Sequence, residues 1–149
     1  MRAVVQRVRS ARIEVDGGCV AQMPAGLLAL VGVGVGDGEA SAHELARRIV
    51  GLRVLDDDAG RMNRSLLETG GTLGVVSQFT LLGDARSGRR PSYARAAPAA
   101  QAEPLVEAVV AAARALGVPV VTGRFGAQMQ VHLVNDGPVT LLLDTDKTF

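Results

Sequence analysis

Apolar, β-branched segments separated by turn residues predict strands in the first third of the chain. Residues 3–8 and 11–15 have this character, and the Asp-Gly-Gly sequence at 16–18 predicts a hairpin turn into a strand at 19–23. The continuous apolar segment at 26–33 is typical of a strand that is buried on both faces. The chain is therefore expected to begin as an antiparallel sheet.

Two later segments have the apolar spacing of helices. Ser41 and Glu44 predict a capping box at the start of the first helix, and apolar residues then recur at helical spacing. The second helix is predicted at 101–116, with Pro104 in its first turn and Gly117 at its end.

The remaining apolar segments predict the strands that complete the fold. A buried strand is predicted at 72–82, after a polar stretch, and three closing strands follow at 118–125, 127–134 and 139–144. We expect one α+β domain over residues 1–149, with a mostly antiparallel, curled or barrel-like β-sheet and two main helices.

The segment Asn-Asp-Gly-Pro-Val-Thr at 135–140 predicts a hairpin between the last two strands. Pro138 cannot donate to a strand ladder, and a cis bond before a proline costs only about 0.5–1 kcal/mol. The segment is therefore expected to be a rigid tip with free carbonyls. Two interpretations stay open: a proline that only stiffens a loop, and a proline that fixes a functional geometry.

Composition narrows the class of protein. At 149 residues and 48% hydrophobic, the chain suits one domain. Its longest apolar stretch, 26–36, is too short and glycine-rich to span a bilayer, and the N-terminal residues lack the apolar core of a signal peptide. These features predict a soluble, cytoplasmic protein without membrane contact. Cys19 is the single cysteine, which excludes an internal disulfide and a thiolate metal site.

Charge points to one segment only. The net charge is +1, but arginines are concentrated at 85–95, including Arg86, Arg89 and Arg90. A guanidinium group pairs well with phosphate oxygens, so this segment is either a phosphate-binding loop or a solvated one.

Familiar cofactor and hydrolase motifs are missing. The glycine-rich 32–38 resembles a dinucleotide-binding turn, but Asp37 or Glu39 occupies the position of its third glycine. His43 and His132 lie outside any catalytic or metal-binding motif. We therefore expect no cofactor and no metal, and any chemistry must use hydroxyls, backbone groups and the substrate itself.

Polar residues end the strand predicted at 72–82. Strand alternation places Gln78 and Thr80 on one face, and Ser77 and Phe79 on the other. Either these groups satisfy a nearby loop, or they form a ligand cleft in which the Thr80 hydroxyl and neighbouring N–H groups bind a carbonyl oxygen.

Ser-Gln-Phe-Thr-Leu at 77–81 and Asn-Asp-Gly-Pro-Val-Thr at 135–140, in a chain that opens Met-Arg-Ala-Val-Val-Gln-Arg-Val, resemble the D-aminoacyl-tRNA deacylases. The resemblance covers essentially the whole chain, and two distant motifs in register are more specific than either alone. The chain departs from the family pattern at 81–90, where a lysine expected before Gly-Arg-Arg-Pro is absent and Ser87 lies nearby.

The resemblance implies a homodimer whose site is shared across the interface. It implies a cis bond between Gly137 and Pro138, whose carbonyls act as a chiral selector in the partner's site, close to Thr140. Ser77, Gln78, Phe79 and Thr80 of the other chain would complete that site. The expected partners are therefore the 3′ aminoacylated end of tRNA and a second copy of the chain.

The implied activity is hydrolysis of the ester bond of D-aminoacyl-tRNA, with L-aminoacyl-tRNA spared and glycyl-tRNA also accepted. N–H groups near Phe79 and Thr80 would stabilise the oxyanion, and the substrate 2′-hydroxyl would orient water. The arginines at 86, 89 and 90 would contact tRNA, and Phe125 and Met129 either contact the terminal adenosine or pack in the core. An inactive RNA-binding module of the same fold and a relaxed acyl-ester hydrolase stay open as alternatives.

Overall fold

Two long antiparallel strands form the centre of the sheet. The computed structural model describes all residues, Met1–Phe149. In chain order its strands are β1 (Arg2–Val15), β2 (Gly18–Met23), β3 (Gly26–Gly32), β4 (Leu55–Asp56), β5 (Met62–Arg64), β6 (Thr72–Ser77), β7 (Val120–Thr122) and β8 (Gln130–Asp144). Its helices are α1 (Glu39–Val50), α2 (Leu66–Thr69), α3 (Ala99–Ala115) and a 3-10 helix at Phe79–Leu82.

The main sheet is curled, and β1 has neighbouring strands on both of its edges. One edge of β1 pairs with β3 and then β2, and the other edge pairs with β8. β3 continues the sheet through β6 to β7, and β7 lies against β2, so that the sheet is nearly closed. The predicted α+β class, the barrel-like sheet and the two main helices are confirmed.

The pairing is antiparallel around β1 and parallel further along the sheet. β3, β6 and β7 run parallel because α1 and α3 lie in the connections between them, and a parallel neighbour requires such a crossover. The prediction of a mostly antiparallel sheet holds for β1 and its three neighbours.

Alternation along the strands divides the core into two parts. One set of side chains, including Val5, Leu27 and Val75, packs with the buried faces of α1 and α3. A smaller cluster on the inside of the curled sheet includes Ile13 and Leu28. No aromatic side chain is among the buried core residues of either part.

The predicted hairpin at 135–140 is wrong. β8 is one strand that pairs with β1 from end to end, and β1 is likewise one strand over the two segments predicted at 3–8 and 11–15. The turn residues form a bulge: Thr140 pairs with Gln6 and Asn135 with Val8, so residues 136–139 face the single residue Arg7. The Gly137-Pro138 bond in this bulge is cis.

Two predicted strands end early. The strand predicted at 72–82 ends at Ser77 because the chain turns into the 3-10 helix. Of the segments predicted at 118–125 and 127–134, only β7 and the first part of β8 are strands. Each boundary depends on where the neighbouring strand stops, which local sequence does not specify.

Helix starts also differ from the predicted ones. α1 begins two residues before Ser41, with Gly38 as its N-cap, and the Ser41 hydroxyl accepts a hydrogen bond from the Gly38 N–H (3.4 Å). The Ser-x-x-Glu capping box occurs instead at α2, where the Ser65 N–H donates to Glu68 (2.8 Å). α3 begins at Ala99, which places Pro104 beyond its first turn. None of these helices is long and apolar enough to cross a membrane.

Candidate functional site at the end of β6

The end of β6 is held tightly against β3. The Gln78 N–H donates to the Val31 carbonyl (2.7 Å), and the 3-10 helix then begins at Phe79. Gly32 on β3 allows this close approach, because a Cβ there would lie 2.9 Å from the Gln78 carbonyl oxygen and 2.7 Å from a Leu82 methyl. The sequence therefore forces the polar segment into a sharp turn at the surface.

This turn forms one wall of a cleft of about 430 Å³. The cleft brings Ser77, Gln78 and Phe79 together with Phe125 and Met129, although these groups are far apart in the sequence. Twelve of its fifteen lining residues are hydrophobic, and none has an ionisable side chain. The cleft suits a largely apolar, flat group, and it offers no side-chain general base.

Thr80 lies at the surface and is not among the lining residues of the cleft. Its hydroxyl accepts a hydrogen bond from the Gln78 side-chain amide. The two side chains therefore meet through a 3-10 turn. The predicted strand alternation is wrong here, because the strand ends at Ser77 and the cleft brings Gln78 together with Ser77 and Phe79. The N–H groups of Phe79 and Thr80 have no acceptor within the helix, because they belong to its first turn.

The bulge of β8 is anchored by Arg7. The Arg7 side chain is 12% exposed, and its Nε donates to the Asp136 carbonyl (2.7 Å). One Nη of the same group donates to the Val54 carbonyl (2.8 Å) and to the Asp56 carboxylate (2.9 Å). Arg7 thus ties the bulge to the hairpin of β4 and β5.

Asn135 closes the bulge from its other side. Its side-chain amide donates to the Val139 carbonyl (3.1 Å) and accepts from the Val139 N–H (2.8 Å). It also donates to the Thr140 hydroxyl (3.2 Å). Arg7 and Asn135 were not predicted from the sequence. The available signals were a cation inside an apolar strand and an asparagine before Asp-Gly.

The bulge and the cleft do not meet within one chain. Gly137, Pro138 and Thr140 are exposed and do not line the cleft. The bulge lies opposite Arg7 of β1, whereas Ser77 is level with Ala3 of β1, through the pairing of both residues with β3. At 3.3 Å per residue, Ala3 and Arg7 are about 13 Å apart along the strand.

The arginine segment is a loop closed by backbone hydrogen bonds between Asp84 and Ser92 (2.8 Å each). Its one ion pair joins Arg86 to Asp84, and the hydrogen bonds from this guanidinium hold the pKa of the Asp84 carboxyl well below its ordinary value. Arg89 and Arg90 are exposed. Arg86 is therefore partly neutralised, whereas the other two are not.

Fold and cleft define an α+β protein whose candidate site is uncharged and formed largely by apolar groups. The sequence pattern of the family described as D-Tyr-tRNA(Tyr) deacylase matches residues 4–144. The chain belongs to this family.

Relatives that match the chain over nearly its full length are named as deacylases too. A D-aminoacyl-tRNA deacylase of Symbiobacterium thermophilum is 55% identical over 149 residues, which cover 100% of this chain and 99% of the relative. One of Thermosipho africanus is 54% identical and covers both chains completely. One of Roseiflexus castenholzii is 57% identical over 145 residues, which are 97% of this chain and 92% of the relative.

Two solved structures share the fold. The c-Myc DNA Unwinding Element Binding Protein is 34% identical, with a TM-score of 0.91 over 97% of this chain and 99% of that protein. A probable eukaryotic D-amino acid tRNA deacylase is 15% identical, with a TM-score of 0.82 over 95% and 97% of the two chains. The latter similarity shows the fold alone.

Proposed function

We propose that the protein hydrolyses the ester bond of D-aminoacyl-tRNA, releasing tRNA and the D-amino acid, and spares L-aminoacyl-tRNA. The observation that carries this proposal is the uncharged cleft at Ser77–Phe79, in a chain that is 54–55% identical to named D-aminoacyl-tRNA deacylases over its whole length. The cytoplasm, where charged tRNA is used, is the proposed place of action.

The chemistry is proposed to need little from side chains. The ester is activated by the neighbouring ammonium and vicinal hydroxyl of the substrate, so hydrolysis requires a positioned water and a stabilised oxyanion. The free N–H groups of Phe79 and Thr80 supply the oxyanion site. Because the cleft has no ionisable side chain, the ribose 2′-hydroxyl orients the water.

Thr80 is proposed to bind and polarise the substrate and not to attack it. Its hydroxyl is held by the Gln78 amide, and no histidine or lysine lies close enough in sequence or in the cleft to activate it. Ser77 and Gln78 shape the wall beside the ester. Phe125 and Met129 contact the terminal adenosine at the apolar end of the cleft.

The selector is proposed to come from a second copy of the chain. Gly137 and Pro138 are exposed at the bulge, with Thr140 beside them. Along the strand direction they lie about 13 Å from Ser77 at the cleft of their own chain. A homodimer with twofold symmetry places the bulge of each chain in the cleft of the other. The backbone carbonyls then face the substrate α-centre and exclude an L side chain.

A long open sheet edge supports this dimer. β8 has β1 as its only strand neighbour, and it exposes Val134 (54%) and Leu142 (61%). Such edges are normally covered, because they present unpaired backbone groups and apolar surface. The bulge lies on this same strand, so covering the edge brings the bulge to the partner.

Selection by a backbone wall has two consequences. Glycyl-tRNA is hydrolysed, since glycine has no side chain to exclude, and many D side chains are accepted because they point away from the wall. Arg86, Arg89 and Arg90 contact the phosphates of tRNA, so binding weakens with salt.

The first experiment is deacylation of matched D- and L-tyrosyl-tRNA, with glycyl-tRNA alongside, by the purified protein without added cofactor. Rapid loss of the D-tyrosyl and glycyl esters is expected, with the L-tyrosyl ester spared. Replacing Thr80 with alanine should slow turnover of the D-ester, because its hydroxyl polarises the carbonyl.

Other outcomes identify the alternatives. Equal hydrolysis of both enantiomers indicates a relaxed acyl-ester hydrolase. Absence of hydrolysis with retained tRNA binding indicates a nucleic-acid-binding module, and the 34% identical relative is named for binding a DNA element. Full turnover by the Thr80→Ala variant removes the proposed role of that hydroxyl.

A further inference from the structure

Aromatic side chains are rare in this protein and are concentrated at one place. The chain has three phenylalanines, one tyrosine and no tryptophan. Aromatic groups usually fill cores, because each buries a large apolar area, yet none is a fully buried core residue here. Phe79 and Phe125 line the cleft, Tyr93 contacts Phe79, and Phe149 lies apart, against Arg2.

Phe79 and Tyr93 form an exposed pair at the mouth of the cleft. Their ring centroids are 5.1 Å apart at an angle of 71°, and the two residues are 58% and 39% exposed. Phe79 lines the cleft but Tyr93 does not, so the pair leads outward from the cleft to the surface.

Tyr93 is held in place by the backbone beside it. A Cβ at Gly83 would lie 3.0 Å from the edge of the Tyr93 ring, so the ring packs directly on this glycine. The backbone pair of Asp84 and Ser92 fixes the chain immediately before it. A ring that is already oriented loses little conformational entropy when a second flat group stacks on it.

Three arginines lie close to Tyr93 in the chain. Arg89 and Arg90 precede Tyr93 in the same loop, and Arg95 follows it; all three are exposed. The only carboxylate of the loop, Asp84, is paired with Arg86. Exposed aromatic rings among arginines are the combination that binds single-stranded nucleic acid, because bases stack on the rings while guanidinium groups contact phosphates.

We propose that Tyr93, together with Phe79, forms a stacking platform for the base of the nucleotide that precedes the terminal adenosine of tRNA. Arg89 and Arg90 contact the phosphates on either side of that nucleotide. The platform rests on the proposed function, and it adds a second nucleotide subsite outside the cleft. It makes the single-stranded 3′ end, and not the terminal nucleoside alone, the group that the protein binds.

The test compares Tyr93→Leu with Tyr93→Phe on two substrates, the D-tyrosyl esters of adenosine and of the trinucleotide CCA. Loss of one stacked base is expected to raise KM for the trinucleotide ester about 5- to 150-fold in Tyr93→Leu. KM for the adenosine ester and kcat for both should stay unchanged, and Tyr93→Phe should behave as wild type. Phe149→Leu, an exposed aromatic residue away from the cleft, is the matched control.

Calorimetric binding of uncharged CCA, compared with adenosine, tests the platform even if no ester is hydrolysed. Tyr93→Leu should weaken CCA binding and leave adenosine binding unchanged. Equal effects on both ligands, or none on either, would overturn the proposal. So would a change in sedimentation of Tyr93→Leu without an effect on CCA, because the ring pair would then be a contact between copies of the chain. Unaltered thermal melting of the variant checks its folding.

Discussion

Asp144 is a carboxylate that the fold buries, with 3% of its side chain exposed. Burial alone would raise its pKa, but hydrogen bonds from the Thr148 hydroxyl and the Asp146 N–H, with the charge of Arg2, lower the pKa below the ordinary 3.8. Asp144 ends β8, and its backbone carbonyl also accepts a hydrogen bond from Arg48 of α1 (2.6 Å). A single side chain therefore joins the end of the chain to the start of β1.

Replacing Asp144 with asparagine should lower the free energy of unfolding at pH 7 by about 1.5–3 kcal/mol, the range for hydrogen bonds to a charged group. A folded-state pKa below the unfolded one contributes stability above pH 3.8, and this stability is lost as the pH falls through the folded value. The difference between wild type and variant should therefore shrink in acid.

Urea unfolding at pH 7 and pH 3 measures both effects. Asp58→Asn, at a 92% exposed carboxylate, is the control and should change stability little. A difference that is the same at both pH values would contradict the role of the Asp144 charge.

Site residues could be predicted from the sequence where their polarity stands out locally. They were missed where their role depends on contacts with residues that are distant in the sequence. Ser77 and Gln78 are polar residues at the end of an apolar strand, so their polarity was visible in the sequence. Arg7 and Asn135 hold the bulge through contacts with residues that only strand pairing brings near. Nothing in a single sequence specifies that pairing.

At the scale of elements, β8 shows how the same turn residues give two structures. Asp-Gly-Pro favours a reversal, but both halves of β8 pair with β1, so these residues form a bulge within one strand. The helices were predicted more accurately than the strands, because helical spacing and end signals are local. Both helices still begin before the predicted starts, α1 at Glu39 and α3 at Ala99.

Asn135→Ala should reduce discrimination between D- and L-tyrosyl-tRNA about tenfold or more, since a change of 1.4 kcal/mol in positioning corresponds to that factor. The physical reason is the loss of the hydrogen bonds that hold Val139 and Thr140 across the bulge. Measuring kcat/KM for both esters gives the ratio.

Asn63→Ala provides the comparison, because that side-chain amide also donates a hydrogen bond, here to the Asp57 carboxylate in the hairpin of β4 and β5. It should leave the ratio unchanged. An undiminished ratio in Asn135→Ala would show that the bulge keeps its shape without this side chain.

At the scale of the whole molecule, one sheet edge remains open while the other strands curl toward closure. β7 lies against β2, but the outer edge of β8 has no strand beside it. The barrel-like shape could be predicted from the number and length of apolar segments. Which strand would lie at the edge could not, because it depends on the order of strands in space.

Leu142→Lys should convert the proposed dimer into monomers and abolish deacylation, because it places a charge on the apolar strand that the proposed dimer covers. Sedimentation equilibrium and the D-tyrosyl-tRNA assay measure the two effects. Val35→Lys, at a 58% exposed residue outside β8, is the control and should leave both unchanged. A fully active Leu142→Lys protein that sediments as wild type would contradict the shared site.

The core without aromatic residues has a spectroscopic consequence. With no tryptophan in the chain, Tyr93 is the sole source of fluorescence excited near 280 nm, and it lies beside the cleft and not in the core. Its emission therefore reports the surroundings of the cleft, while far-ultraviolet circular dichroism reports the fold. The wild-type protein thus carries a built-in optical probe of ligand binding that needs no label.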